Sequence, residues 1–340
     1  MKIKLYTCSL VKRYADQAEH SLGVGYLKTN CTNADIEIVK NKEDLKDCDM
    51  IGLSCFIDGG KQAIDILNNT NIPVIIGGPI SKWDGLAEYD FKHIVVGEGE
   101  LALQSIIDGN ETEKIVSKPP IENLDTLNYP ERGRCSTRVP ITSSRGCVYE
   151  CGFCLAPHFW KTYRYNSPEY FIGEVEYILD RYPHAEVLMI QDNLFAGNRE
   201  TFYRIYDLWM KKGLNKKIKL EGSTRTSHFD YEFGCKLKEM GFQLLAFGFE
   251  SASDRVLKII NKKTTVKNHQ KVIDICTSLE IPIHGCFMHG IPGETIHDAA
   301  LTTKFMWDNK TKFRSFNYHK FRPYPGCNMQ NDKYGAKWKI

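Results

Sequence analysis

From residue 1 to about residue 110 the chain alternates apolar runs with amphipathic stretches. KIKLYTCSL reads as a strand, SLGVGYLKTN as a short helix after a turn, and ADIEIVK as a second strand. DMIGLSCF is an apolar run bounded by turn residues, the mark of a buried third strand. GKQAIDILNN follows as a helix, IPVIIGGP as a fourth strand, HIVVGEGE as a fifth and LALQSIIDG as a helix. Strands rich in β-branched residues alternating with helices predict a parallel sheet covered on both faces. Its glycines fall at the C-terminal ends of strands, where open parallel sheets bind ligands.

Residues 111–138 lose this rhythm. SKPPIENLDTLNYPERGR is rich in Pro, Asn and charge and reads as a linker between a domain over 1–110 and another over 139–340. A second alternation then begins, with longer helices. VPITSSRG, AEVLMIQDN, KIKLEGSTR, FQLLAFGFES, IPIHGCFMHGIPG and FRSFNYHKFRPYPG read as six strands. Between them lie helical patterns. Ser167, Pro168 and Glu169 open one such helix with a cap, a first-turn proline and an acid at its positive end. Phe171, Val175, Ile178 and Leu179 share its apolar face, as Phe202, Ile205, Tyr206 and Trp209 share that of the next. Six strand–helix units predict a partial parallel barrel with its active site on the loops at the strand C-termini.

Composition narrows the function classes. The 340 residues carry a formal net charge of +3, too small to argue for nucleic acid or an anionic membrane as partner. The start, MKIKLYTCSL, has no charged region followed by an apolar signal core, and no apolar run is long enough to span a bilayer, so the expected location is the cytoplasm. Twelve cysteines in a chain of this length do not make a disulfide scaffold. Nine are scattered. Cys147, Cys151 and Cys154 are clustered, in a loop after the first strand of the second domain.

Three thiols this close have three readings. As packing residues they would have no reason for the spacing. As a zinc site they would want a fourth ligand, and none has a zinc-knuckle spacing, although His158 is near. As ligands of a [4Fe–4S] cluster they would leave one iron open to a substrate.

The CxxxCxxC pattern, with Phe153 before the last cysteine, resembles the radical S-adenosylmethionine (SAM) superfamily. SSRGCVYECGFC, QDNLFAGNRE, GFESASDRVLKIINKKTT, HGIPGET and FRPYPG come in the order found in the branch with a cobalamin-binding domain before the barrel. The resemblance implies an α/β protein: a Rossmann-like cobalamin-binding domain, then a partial (β/α)6 TIM-type radical SAM barrel. It also implies roles. Cys147, Cys151 and Cys154 ligate three irons of a [4Fe–4S] cluster, and the methionyl group of SAM takes the fourth. Phe153 lies near the adenine. Gln191 and Asp192 stand where the methionyl amine binds, Arg225 meets its carboxylate and Glu250 the ribose hydroxyls. Gly290, Pro292 and Gly293 shape a loop approaching the cofactor.

In the first domain the resemblance places Ser54, Gly77, Gly78, Gly97 and Glu98 along the nucleotide tail of cobalamin. The branch's Asp-x-His-x-x-Gly signature is incomplete: AEHSLG has alanine where Asp would stand, leaving His20 without an orienting carboxylate. Cys8 and Cys55 end the first and third strands and read as buried thiols. Cys327, past the sixth strand, and Cys286, on the fifth, are the candidate hydrogen donors or acceptors of a radical reaction. The implied activity is reductive cleavage of SAM to a 5′-deoxyadenosyl radical and cobalamin-dependent methylation of an unactivated carbon. A one-electron reductant such as flavodoxin or ferredoxin and a small-molecule or peptide substrate would be its partners. A radical enzyme without functional cobalamin, doing rearrangement, cyclisation or sulfur insertion, is the second reading. A non-catalytic iron–sulfur or corrinoid sensor is the third.

Overall fold

A computed structural model of the chain describes residues 1–9 and 21–329. The candidate cobalt ligand His20 lies outside the described residues. The protein is α/β, built on two six-stranded sheets, each parallel throughout.

The first sheet uses β1 (Lys2–Cys8), β2 (Asp35–Ile38), β3 (Met50–Cys55), β4 (Val74–Gly77), β5 (His93–Val95) and β6 (Ile115–Val116), in the order β2-β1-β3-β4-β5-β6. Helices α1 (Leu22–Asn30), α2 (Gly60–Asn68) and α3 (Glu100–Ile107) are its crossovers. One apolar layer packs Ile51, Leu53, Ile76 and Ala63, and a second, on the opposite face, packs Ile3, Leu5, Ile75, Val24 and Leu103. Two covered faces explain why these strands are unbroken apolar runs. The order reverses between β1 and β3, so the crevice beyond their C-terminal ends is where such a sheet takes a ligand. β6 lies inside the stretch read as linker: Ile94 pairs with Ile115 and Val95 with Val116. Two residues are too few for a periodic signal, and sequence reading missed them.

The second sheet runs β14-β13-β12-β11-β10-β7. Its strands are β7 (Arg138–Ile141), β10 (Val187–Ile190), β11 (Lys219–Thr224), β12 (Phe242–Glu250), β13 (Ile283–His289) and β14 (Phe313–Lys320). Between β7 and β10 a small antiparallel pair, β8 (Ser144–Arg145) and β9 (Arg164–Tyr165), brackets the cysteine loop and α4 (Ala156–Trp160). Helices α5 (Pro168–Arg181), α6 (Arg199–Lys211), α7 (Tyr231–Met240), α8 (Asp254–Ile259), α9 (Val266–Ser278) and α10 (Ile296–Asp308) complete the chain. The main core lies between this sheet and its helices, with Phe171, Val175, Phe202, Trp209, Phe233, Phe247, Phe249 and Phe287 at its centre. On β13 Ile283, Gly285 and Phe287 are buried in it, while His284, Cys286 and Met288 alternate onto the opposite, half-exposed face. Helices α4 and α8, at 5 and 6 residues, are too short for the periodicity that revealed the others.

The first sheet is joined to the β8–β9 pair of the second half by buried charge. Arg145 donates to Glu98 at 2.8 Å and to Glu100 at 2.7 Å, and Arg164 also pairs with Glu98. The Arg145 guanidinium lies 4.9 Å from the ring of Tyr26 on α1. Among the described residues no helix is long and apolar enough to cross a membrane.

Candidate active site

The cysteine loop is anchored from beneath by Asp192. Ile190 pairs with Ile141 across β10 and β7, so two residues further on Asp192 meets the chain leaving β7. Its Oδ1 accepts from Thr142 Oγ1 and from the backbone N–H of Ser143 and Ser144, at 2.7–3.2 Å. Its Oδ2 accepts from Ser143 Oγ at 2.5 Å and Ser144 Oγ at 2.8 Å. Burial pushes its carboxyl above the usual range, and these hydrogen bonds oppose that shift. Five donors occupy both oxygens, so Asp192 fixes the loop and has little capacity left for the ammonium expected there. Gln191 beside it is exposed and free of that duty. Gly146 then turns the chain at φ +90°; a Cβ here would stand 2.3 Å from the Thr162 carbonyl oxygen, so only glycine fits.

Beyond that turn Cys151 is buried and Cys147 and Cys154 are half-buried. The backbone holds the loop in place. Gly152 N–H donates to Ile260 O at 2.9 Å, Met329 N–H donates to Gly152 O at 3.0 Å, and Asn261 Nδ2 donates to Glu150 O at 2.7 Å. Burial pushes the Cys147 thiol up and that of Cys154 to about 11, and each is pushed further by the neighbouring cysteines. The three thiols therefore share one electrostatic environment. Yet among the described residues no group of three His, Cys, Asp or Glu converges where one metal ion would sit. Three thiolates are the donor set that would each take one iron of a [4Fe–4S] cluster.

Arg225, just past β11, reaches this loop. Its Nη1 lies 2.9 Å from Cys151 Sγ and its guanidinium 3.8 Å from the Tyr149 ring. Next to it Glu250 ends β12 with φ +64°, an uncommon conformation for a non-glycine residue. Its Oε1 pairs with Lys262 Nζ at 2.7 Å. The ammonium also lies 5.5 Å from the ring of Phe153. A Cβ on Gly248 would stand 2.3 Å from Glu250 Oε1 and 2.7 Å from Lys262 Nζ, so that glycine makes room for the pair. The loop after Glu250 is tied to α10: Ser253 Oγ donates to Asp298 at 2.6 Å, and Ala252 N–H to Thr302 Oγ1 at 3.0 Å. Behind them His269 is fully buried with Nδ1 2.9 Å from Thr226 Oγ1. Burial, then Lys262 and Arg225, lower its pKa to about 3. The imidazole is neutral.

Phe153, Cys151, Arg225 and Glu250 thus come together. Cys327 is buried in an apolar cluster with Val256, Ile260 and Met329, against which Phe153 packs. Cys286 is set apart from it, on the half-exposed face of β13 in register with Gly248 and Asn317. In the first sheet Ser54 pairs with Gly77, and Cys8 with Cys55. Gly78 has φ +86° and Gly97 φ +102°, the latter with open space where a Cβ would be. Glu98 is committed to Arg145 and Arg164. Gly290 and Gly293 have φ of +72° and +85°, consistent with a tight loop.

Sequence reading missed Lys262, Tyr149, Arg145 and His269. Lys262 and Tyr149 lie inside motifs already singled out, but their spacing does not show what they face. Ser81 was missed as well: its Oγ is buried with no hydrogen-bond partner among the described residues, four residues past Gly77.

The family model of the radical SAM superfamily matches residues 141–306, the stretch that contains this site. An uncharacterized methyltransferase of Pyrococcus horikoshii is 27% identical, over 97% of this chain and 82% of its own length. Two solved structures have the same fold. The methyltransferase TsrM of Kitasatospora setae, with cobalamin and a [4Fe–4S] cluster bound, superposes with a TM-score of 0.76 at 15% identity, covering 96% of this chain and 76% of that one. The cobalamin-dependent SAM radical enzyme OxsB, with aqua-cobalamin bound, gives 0.74 at 16%, covering 98% and 55%. This chain thus spans about half of OxsB.

Proposed function

Residues 141–306 match the radical SAM superfamily, and from that match we propose a radical SAM enzyme, a cobalamin-dependent methyltransferase acting on an unactivated carbon. The observation that carries the proposal is the joining of two sites. Arg145, two residues before Cys147, is bound to Glu98 and Glu100 at the end of the first sheet. The cysteine loop is thereby tied to the C-terminal strand ends of that sheet, the edge at which open parallel sheets take ligands.

We read the first sheet as the Rossmann-like domain and the second as the partial (β/α)6 barrel. The donor set Cys147, Cys151 and Cys154 fits a [4Fe–4S] cluster, which when bound supplies the electron that cleaves SAM to a 5′-deoxyadenosyl radical. Phe153 offers a face to the adenine, and Glu250, poised by Lys262, accepts from ribose hydroxyls. Gln191 is the polar group left for the methionyl amine. For cobalamin the supporting observations are the open space at Gly97, the Ser81 Oγ, unpartnered among the described residues, and Ser54 at the end of β3. Cobalamin supplies methyl transfer; the protein orients it and excludes water and oxygen. The substrate, a small molecule or peptide, would lie on the half-exposed sheet face that carries His284, Cys286 and Asn317. Cys286 is the better-placed hydrogen donor or acceptor, since Cys327 is packed away. A flavodoxin- or ferredoxin-like donor in the cytoplasm completes the set.

Anaerobic reconstitution with cobalamin tests this reading. A corrinoid spectrum at unit stoichiometry, and transfer of label from the methyl group of SAM to a product, are expected. A protein that assembles its cluster but retains no corrinoid would overturn the methylation and favour the cobalamin-free radical reaction.

A further inference from the structure

Arg225 does not have the surroundings of a residue waiting for a carboxylate. It is buried, and among the described residues its guanidinium meets no carboxylate at all. Its Nη2 donates to the carbonyl oxygen of Lys262, its Nε lies 3.4 Å from Ser227 Oγ, and its plane lies 3.8 Å from the Tyr149 ring. The remaining nitrogen, Nη1, is aimed at Cys151 Sγ, 2.9 Å away. A buried cation needs a counter-charge, or the burial is costly. The group placed to supply one is a sulfur of the cysteine loop.

We infer that Arg225 is a positioning residue for the electron-transfer step: it donates a fixed, charged N–H to the sulfur of Cys151 and raises the reduction potential of the cluster held there. The inference rests on the radical SAM reading of the cysteines. In the step concerned, one electron passes from an external one-electron donor to the cluster, and no bond is made or broken. The electron adds negative charge to the cluster. A cation and a hydrogen bond at one of its sulfurs stabilise the reduced form more than the oxidised one, and hydrogen bonds to the sulfurs are among the factors that set such potentials. The three other contacts keep the guanidinium from turning away.

The test is a potentiometric titration of the reconstituted full-length protein without SAM, followed by electron paramagnetic resonance. Arg225→Met should reduce less readily, by about tenfold in the equilibrium constant, or about 59 mV for one electron. Arg225→Lys, which keeps the charge but loses the fork, should recover part of the shift. Ser227→Ala, with the guanidinium still held at two other points, should stay near the wild type. If Arg225→Met assembles a cluster with the wild-type potential and instead loses SAM affinity, the guanidinium serves the carboxylate and the inference is overturned. A second measurement needs no variant. In reduced wild type grown with 15N-arginine, electron–nuclear double resonance should show a coupled arginine nitrogen, and its absence would overturn the inference. A wild type that assembles no cluster refutes the radical SAM reading itself, which separates the two failures.

Discussion

Glu250 and Lys262 are 2.7 Å apart with side chains 10% and 5% exposed. Each charge is tolerable there because of the other, and removing one partner of a buried pair is far more damaging than replacing both. Lys262→Met should therefore destabilise the fold by about 3 kcal/mol, read from the denaturant midpoint. Glu250→Gln should do less, since it leaves an acceptor for the ammonium. His269 gives a pH dependence. Its pKa is lowered to about 3 in the fold from about 6.5 in the unfolded chain. Between those values the unfolded chain binds the extra proton. Stability is full above pH 6.5 and falls by about 1.4 kcal/mol per unit as pH drops below it. In His269→Asn one proton's worth of that slope should disappear from midpoints measured between pH 7 and 4.5.

At the scale of elements, the capping pattern divides the chain. Every helix from α5 to α10 has a side chain at its N-cap accepting from the backbone N–H two or three residues on: Ser167, Asn198, Asp230, Ser253, Thr265 and Thr295. The three helices of the first sheet begin at Ser21, Gly59 and Gly99 with no such bond. Capping and apolar periodicity made the strands and the longer helices legible from sequence. Ser167 and the Phe171, Val175, Ile178 face sit where those patterns put them. What escaped was too short to have a period, as with β6, α4 and α8, or depended on contacts across the fold. Asp192 could be placed at a strand end, but not seen to face Ser143 and Ser144 fifty residues earlier. The joint between the first sheet and the β8–β9 pair is of this second kind. Arg145→Met would leave Glu100 buried without its cation. The expected result is a loss of about 3 kcal/mol and faster proteolysis within residues 117–137, measured against Arg138→Met as a control in a more exposed pair.

The molecule as a whole brings two sets of strand ends together. The first sheet presents Ser54, Gly77, Gly78 and Gly97 at its C-terminal edge, and the second presents Arg225, Glu250 and the cysteine loop at the same end of its strands. Glu98 and Arg145 tie one edge to the other. Cys147, Cys151, Cys154, Phe153, Arg225 and Glu250 are candidates from sequence because each stands in a motif or at a strand end. The face each meets needed the fold: Arg225 turns to a sulfur, Asp192 to a pair of serines, Glu98 to two arginines. All of this depends on the three thiols holding a cluster that cleaves SAM. The direct measurement is 5′-deoxyadenosine formed by the anaerobically reconstituted protein with SAM and a strong one-electron reductant, compared with Cys151→Ala. The wild type should release it and the variant should fall to background, with its iron content reduced. A wild type with a full cluster and no 5′-deoxyadenosine, or a variant as active as the wild type, would contradict the assignment.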